Sequence, residues 1–207
     1  MYTPIHFKTE DLSEIHGIIR GSRLATLVTA HTEGLIGTPL PLFLEENEGA
    51  FGTLYGHIAK PNPQWKSPVT SEGLVIFNGP NAYVTPSWYE TKSETGKVVL
   101  TWNYVTVHAY GPVEFFEDAD RLLAAVTRLT NIYEGPRETP WQVADAPEEF
   151  IKAQLGGIVG LRIPISRIEG KRKLSQNRKT GDREGVAAGL AESSDPMERQ
   201  IGLLIPR

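Results

Sequence analysis

The amino-acid sequence predicts a mostly β, α+β domain with flanking helices, and three observations predict it. Short apolar runs of strand length follow one another between residues 24 and 110. Turn formers, 20 Gly and 15 Pro among 207 residues, fall between those runs at a density that a long helical bundle does not carry. Helical spacing of apolar residues belongs mainly to the segments before and after this stretch. Successive hairpins of this kind close into a barrel or pack as a sandwich.

Each element has its own signal. Thr9 is the expected cap of a first helix whose Leu12, Ile15, Ile18 and Ile19 share one face, with Gly21 placed to stop it. Strands are expected at residues 24–30, 38–44, 50–58, 74–77, 82–85 and 98–110. The polar run Glu45, Glu46, Asn47, Glu48, Gly49 reads as a hairpin loop, and Asn78, Gly79, Pro80, Asn81 reads as a second. Pro39 and Pro41 cannot donate to a ladder, which puts their segment at a sheet edge or a barrel opening. Helices follow at 118–133, through Leu122, Ala125, Val126 and Leu129, and at 147–155. Residues 157–168 are strand-like, and they lead into a basic segment and an Ala-rich helix near Val186 to Ala191. The organisation expected is one domain over residues 1–207 with a C-terminal helical and basic extension from about 171.

Composition excludes several chemistries. With no Cys there is no disulfide, thiolate metal site or cysteine nucleophile. The N-terminal residues lack a basic and apolar leader, and no run is long and apolar enough to span a bilayer, so a soluble, cytoplasmic protein without membrane contact is expected. A net charge of -4 argues against a broad cationic footprint on DNA. The five His show no ligand spacing, so no metal site is expected, and no catalytic acid–base pair stands out.

Four constellations remain. The stretch from Gly56 to Trp65 ends a strand in a polar turn: Lys60 offers a point charge, and Asn62 and Gln64 offer neutral donors, against the plainer reading of a Pro-stiffened surface loop. From Gly79 to Tyr89, Tyr83, Trp88 and Tyr89 supply aromatic faces suited to a planar heterocycle or to core packing. From Thr101 to Tyr110, strand alternation puts Trp102, Tyr104, Thr106, His108 and Tyr110 on one face and Thr101, Asn103, Val105, Val107 and Ala109 on the other. Lys171, Arg172, Lys173, Arg178 and Lys179 form the strongest basic cluster, open either to a phosphate or to solvent alone.

Together GHIAKPNPQW from Gly56, PSWY from Pro86, TWNYVTVHAYG from Thr101 and KLSQNR from Lys173 resemble the PaiB family of FMN-binding regulators, in order as well as content. The resemblance runs from Tyr2 to about Leu190 and implies a pyridoxamine-phosphate-oxidase-like split β-barrel, a homodimer, and FMN held between subunits. Carried over motif by motif, it implies Lys60 as the foremost phosphate ligand, with His57, Asn62 and Gln64 beside it. Trp102, Asn103 and Tyr104 are implied near the flavin ring, and Lys173, Gln176 and Arg178 are implied to close the site. The function implied is a transcriptional regulator or flavin-dependent sensor, with DNA contact weakly supported by the residues. An FMN-dependent oxidoreductase using NAD(P)H or flavin electrons is the alternative, and a haem-binding relative using His57 or His108 ranks last.

Overall fold

The computed structural model describes residues 1–206. In chain order the strands are β1 (Lys8–Thr9), β2 (Ala25–His31), β3 (Gly34–Leu40), β4 (Leu42–Glu45), β5 (Thr53–Ala59), β6 (Gly73–Val84), β7 (Thr101–Gly111), β8 (Glu114–Phe116), β9 (Ile158–Pro164) and β10 (Arg167–Lys173). The helices are α1 (Leu12–Gly21), α2 (Glu90–Thr95), α3 (Ala119–Glu134), α4 (Glu148–Leu155), α5 (Thr180–Ala191) and α6 (Pro196–Leu204). The chain divides into two compact units. One contains Ser22–Phe77 and His108–Ile168, and the other contains Met1–Gly21, Asn78–Val107 and the segment from Glu169 onward. The long strands β6 and β7 carry the chain from one unit to the other.

In the first of these units, β2 alternates strictly, with Ala25, Leu27, Thr29 and His31 inward. It pairs antiparallel with β3, Leu27 opposite Thr38, and with the opening residues of β6, Leu27 opposite Val75. A second antiparallel sheet has the order β4-β5-β9-β8, with Leu54 opposite Ile163 and His57 opposite Gly160. The polar run 45–49 connects β4 to β5 as expected, and Gly52 completes the connection at φ +88°, where a side chain would also strike Leu44. Asp118 caps α3 by accepting from the Arg121 amide at 2.9 Å, and Ala125 and Leu129 of that helix pack on Phe43 and Tyr55. Pro39 and Pro41 do sit at edges: β3 ends the order of its sheet, β4 ends the order of the other, and Pro41 separates the two strands.

In the second unit the strand order is β1-β10-β7-β6, with Lys8 opposite Lys171. Ala82, Val84, Tyr89, Val105 and Leu174 form a core with Val186, Leu190 and Ile201 of the α5–α6 pair. Each large side chain buried in such a core contributes about 1.5–3 kcal/mol.

Three expectations need correction. The cap of α1 is Asp11, whose Oδ1 accepts from the amides of Ser13 at 2.9 Å and Glu14 at 3.4 Å, while Thr9 lies in β1 and bonds the Glu14 carboxylate. The turn expected at Asn78 to Asn81 does not exist, because β6 runs unbroken through it. Gly79 serves close approach there: a Cβ would lie 3.2 Å from both the Cβ and the carbonyl oxygen of Val105. Beyond the Ala-rich helix lies a further one, α6, started by Asp195, which accepts from the Met197 amide at 2.8 Å, and by Pro196 in its first turn. Among the described residues no helix is long and apolar enough to cross a membrane.

Candidate functional site

Strand periodicity sets the character of β7. Asn103, Val105, Val107 and Ala109 are buried, whereas Trp102 is 49% exposed and Tyr104 is partly open. Trp102 is held without being covered: its indole N–H donates to Asn81 Oδ1 at 2.9 Å, and Tyr83 meets it edge-on at 5.9 Å. The result is an aromatic platform on the open side of the strand.

Beside it, β10 and the turn that follows supply positive charge. Lys171 is only 8% exposed; its ammonium donates to the Tyr2 carbonyl at 3.1 Å and lies 5.1 Å from the Tyr104 ring centre. Lys173 donates to the Trp102 carbonyl at 2.7 Å and to the Thr101 hydroxyl. Burial pushes the Lys173 ammonium below the usual lysine range, and the neighbouring charges of Lys171 and Arg178 push it further. Arg178 covers the Tyr89 ring at 4.7 Å. Among the described residues, none of Lys171, Lys173 and Arg178 has a carboxylate partner.

A tight turn fixes where these cations stand. Ser175 adopts φ +64°, an uncommon conformation for a non-glycine residue. Asn103, fully buried, clamps it: Nδ2 donates to Ser175 Oγ at 3.0 Å, and that hydroxyl lies 3.3 Å from Asn103 Oδ1. Gln176 accepts from the Leu174 amide at 2.7 Å and donates to the Arg172 carbonyl at 2.5 Å. Asn103 and Gln176 are therefore spent on shaping the turn, and Trp102, Tyr104, Lys173 and Arg178 are left with chemistry to offer.

The other four expected residues lie in the other unit, along β5 and the turn after it. Gln64 is fully buried, and its amide donates to Thr29 Oγ1 at 2.9 Å, the Ile36 carbonyl at 3.2 Å and the Leu27 carbonyl at 3.3 Å. It buttresses the β2–β3 hairpin and has no donor left for a phosphate. Asn62 caps the short 3₁₀ turn Pro63–Trp65 by accepting from the Gln64 amide, and donates to Thr38 Oγ1, each at 2.9 Å. Lys60 is half exposed and ion-paired with Glu117 at 2.6 Å, so its charge is already met. His57 has a buried Nδ1 without a hydrogen-bond partner, and burial holds its pKa below the usual histidine value.

The sequence reading thus set the phosphate grip on Lys60, whereas the unmet charge stands at Lys171, Lys173 and Arg178. Lys171 belongs to the basic cluster read from the sequence but not to the ligands that the resemblance implies, and its two-residue spacing from Lys173 on a strand places both on one face. Three cations without counter-charges next to an open indole and phenol suit a ligand that is anionic at one end and a flat aromatic at the other. FMN has that make-up, and the residues fit it. Among the described residues no group of three or more His, Asp or Glu side chains converges to hold a metal.

Residues 1–167 match the family described as "Putative FMN-binding domain". The protease synthase and sporulation protein PAI 2 of Bacillus subtilis (strain 168) is 34% identical over 206 residues, spanning 99% of this chain and 96% of that one. Among solved structures, the FAD and haem binding protein from Mycobacterium smegmatis superposes with a TM-score of 0.60 at 13% identity, over 88% of this chain and 80% of that one. The flavocytochrome Anf3 from Azotobacter vinelandii gives 0.56 at 12% identity, over 80% of this chain and 69% of that one. At such identities the structural likeness speaks for the fold, and the sequence matches speak for the family. The chain belongs to the PaiB family of FMN-binding domains, with the α+β split β-barrel fold of these flavoproteins and FMN as its cofactor.

Proposed function

We propose that this chain is a PaiB-type regulator or flavin sensor that works as a homodimer, residues 1–207 acting as one cofactor-binding domain. The observation that carries the reading is the unneutralised trio Lys171, Lys173 and Arg178 beside Trp102 and Tyr104. Lys173 and Arg178 would hold the phosphate as charge-assisted donors, and Trp102 and Tyr104 would cover part of the flavin ring. Asn103 and Gln176 are positioning residues that keep the cation-bearing turn in shape. Bound FMN supplies hydride or single-electron chemistry. The name of the Bacillus subtilis relative ties that protein to sporulation, which favours a regulatory role over a metabolic one. A net charge of -4 favours an indirect effect on transcription over direct DNA contact.

The test is an FMN titration by flavin fluorescence on protein whose mass is measured by light scattering, followed by NADH and NADPH oxidation in the same sample. Saturable binding at dimer mass without turnover is the expected result. Steady NAD(P)H oxidation would replace the sensor with an oxidoreductase, and absence of binding would end the reading.

A further inference from the structure

Within the unit that holds β5, the strand β5, α3, α4 and the segment before α4 surround a pocket of about 210 Å³. His57 lines it, with Val143, Ile151, Leu155 and the aromatic rings of Trp141 and Phe150. No Lys, Arg, Asp or Glu lines it. Trp141 and Phe150 are 48% and 56% exposed, unusual for large rings at the mouth of an apolar cavity. We propose that this pocket binds a neutral, mono- or bicyclic aromatic molecule bearing one polar group, with the imidazole of His57 as the hydrogen-bonding wall and Trp141 and Phe150 closing over the ring.

Size, charge and polarity each narrow the occupant. About 150 Å³ of apolar cavity suffices for benzene, whereas cofactor and drug sites run from roughly 300 Å³ upward, so the pocket takes a small bicycle and excludes a whole flavin nucleotide. With no charged wall, an ionic ligand would be desolvated without compensation. The buried Nδ1 of His57 lacks a hydrogen-bond partner. A ring with a single N–H or O–H matches an uncharged cavity whose polar side chains are those of His57 and Gln154.

Indole is the probe for isothermal titration calorimetry on the full chain loaded with FMN, with indane as the same-sized ring lacking a polar group and indole-3-acetate as its charged counterpart. The expected result is one indole per chain, indane about tenfold weaker, and indole-3-acetate weaker still. Val143→Trp and Ala146→Trp fill the cavity by different routes, and each should abolish indole binding while FMN affinity and the thermal midpoint stay put. Indole heat that persists in both variants, equal affinity for the three probes, or no binding up to the solubility limit of indole would each overturn the proposal. None of these outcomes touches the FMN reading, which the FMN titration tests separately.

Discussion

Two clusters of cations, one in each compact unit, are neutralised to different degrees. Around β5 and β9, Arg162 bonds Glu48 at 2.5 Å and Tyr55 at 3.0 Å, Arg128 pairs with Glu45 at 2.9 Å, Arg121 with Glu114 at 2.8 Å, and Lys60 with Glu117 at 2.6 Å. Around β10, Lys171, Lys173 and Arg178 stand near one another without a carboxylate, and burial, followed by the charges of the other two, depresses Lys173. A structural network neutralises itself, and a binding site leaves charge over for its ligand. Counting Lys and Arg along the chain does not separate the two cases, because what matters is where the acids fall.

The largest expected effect breaks this comparison directly. Lys173→Ala removes a charge-assisted donor whose worth to a phosphate is about 1.5–3 kcal/mol, so FMN affinity should fall roughly tenfold to hundredfold. Arg178→Ala should act in the same direction. Fluorescence titration of both variants measures it, and an unchanged dissociation constant in both would dissolve the contrast between the units. The depressed pKa of Lys173 adds a pH signature. Free Lys173 loses its proton at a lower pH than an ordinary lysine, so wild-type affinity should decline on the alkaline side earlier than lysine's usual 10.5 would dictate. Lys173→Arg should move that decline to higher pH.

Next come the buried amides, one in each unit. Asn103→Ala leaves the buried Ser175 hydroxyl without its clamp, and Gln64→Leu removes the buried amide that donates to the Thr29 hydroxyl and two strand carbonyls. Each should cost about 1–3 kcal/mol in a denaturation experiment. Their consequences for FMN should differ: loosening the turn at Ser175 releases Lys173 and Arg178, whereas Gln64→Leu should lower stability and leave affinity nearly intact. Equal affinity losses would show that the hairpin buttress also shapes the cofactor site.

How far the sequence could lead follows from the same residues. Alternation in β7, the polar loop at 45–49 and the apolar spacing of α3 are local signals, and local physics was enough to place them. Gly79 and Pro80 carry the composition of a turn, yet a neighbouring strand, distant in sequence, turned that glycine into a close-approach residue. Gln64 and Gln176 look alike on paper as polar ligand candidates, but one disappears into a sheet and the other into a turn. Lys60, the outstanding cation of its motif, is met in the structure by Glu117, fifty-seven positions away. Long-range partners decide which polar groups remain available, and a linear reading of motifs does not contain them.

A smaller effect sharpens the self-neutralised side. Arg162, first through its hydrogen bond, holds the Glu48 carboxyl below its ordinary value of 4.5. A carboxyl depressed on folding contributes stability that is present above its unfolded pKa and lost as pH falls through the folded one. The loss therefore belongs at acid pH, below about 4.5. Arg162→Met should flatten that acid limb in thermal midpoints recorded from pH 7 to pH 3, with the change kept modest by the solvent exposure of Glu48.

The smallest effect is the most diagnostic. Lys60 sits in the polar turn that most invites a phosphate by composition, yet its ammonium and the Glu117 carboxylate are both about half exposed and already paired. Such surface pairs are worth roughly 0–1 kcal/mol, so Lys60→Ala should change stability little and FMN affinity less than about threefold. Glu117→Gln provides the converse: it frees the Lys60 charge, and if affinity then rises while Lys60→Ala leaves it flat, the pair acts as a neutralised cation near enough to feel the phosphate. If neither moves affinity, the charge that matters lies wholly on β10 and the turn after it. A tenfold loss in Lys60→Ala would return the phosphate grip to the turn after β5 and overturn the division of labour drawn between the units.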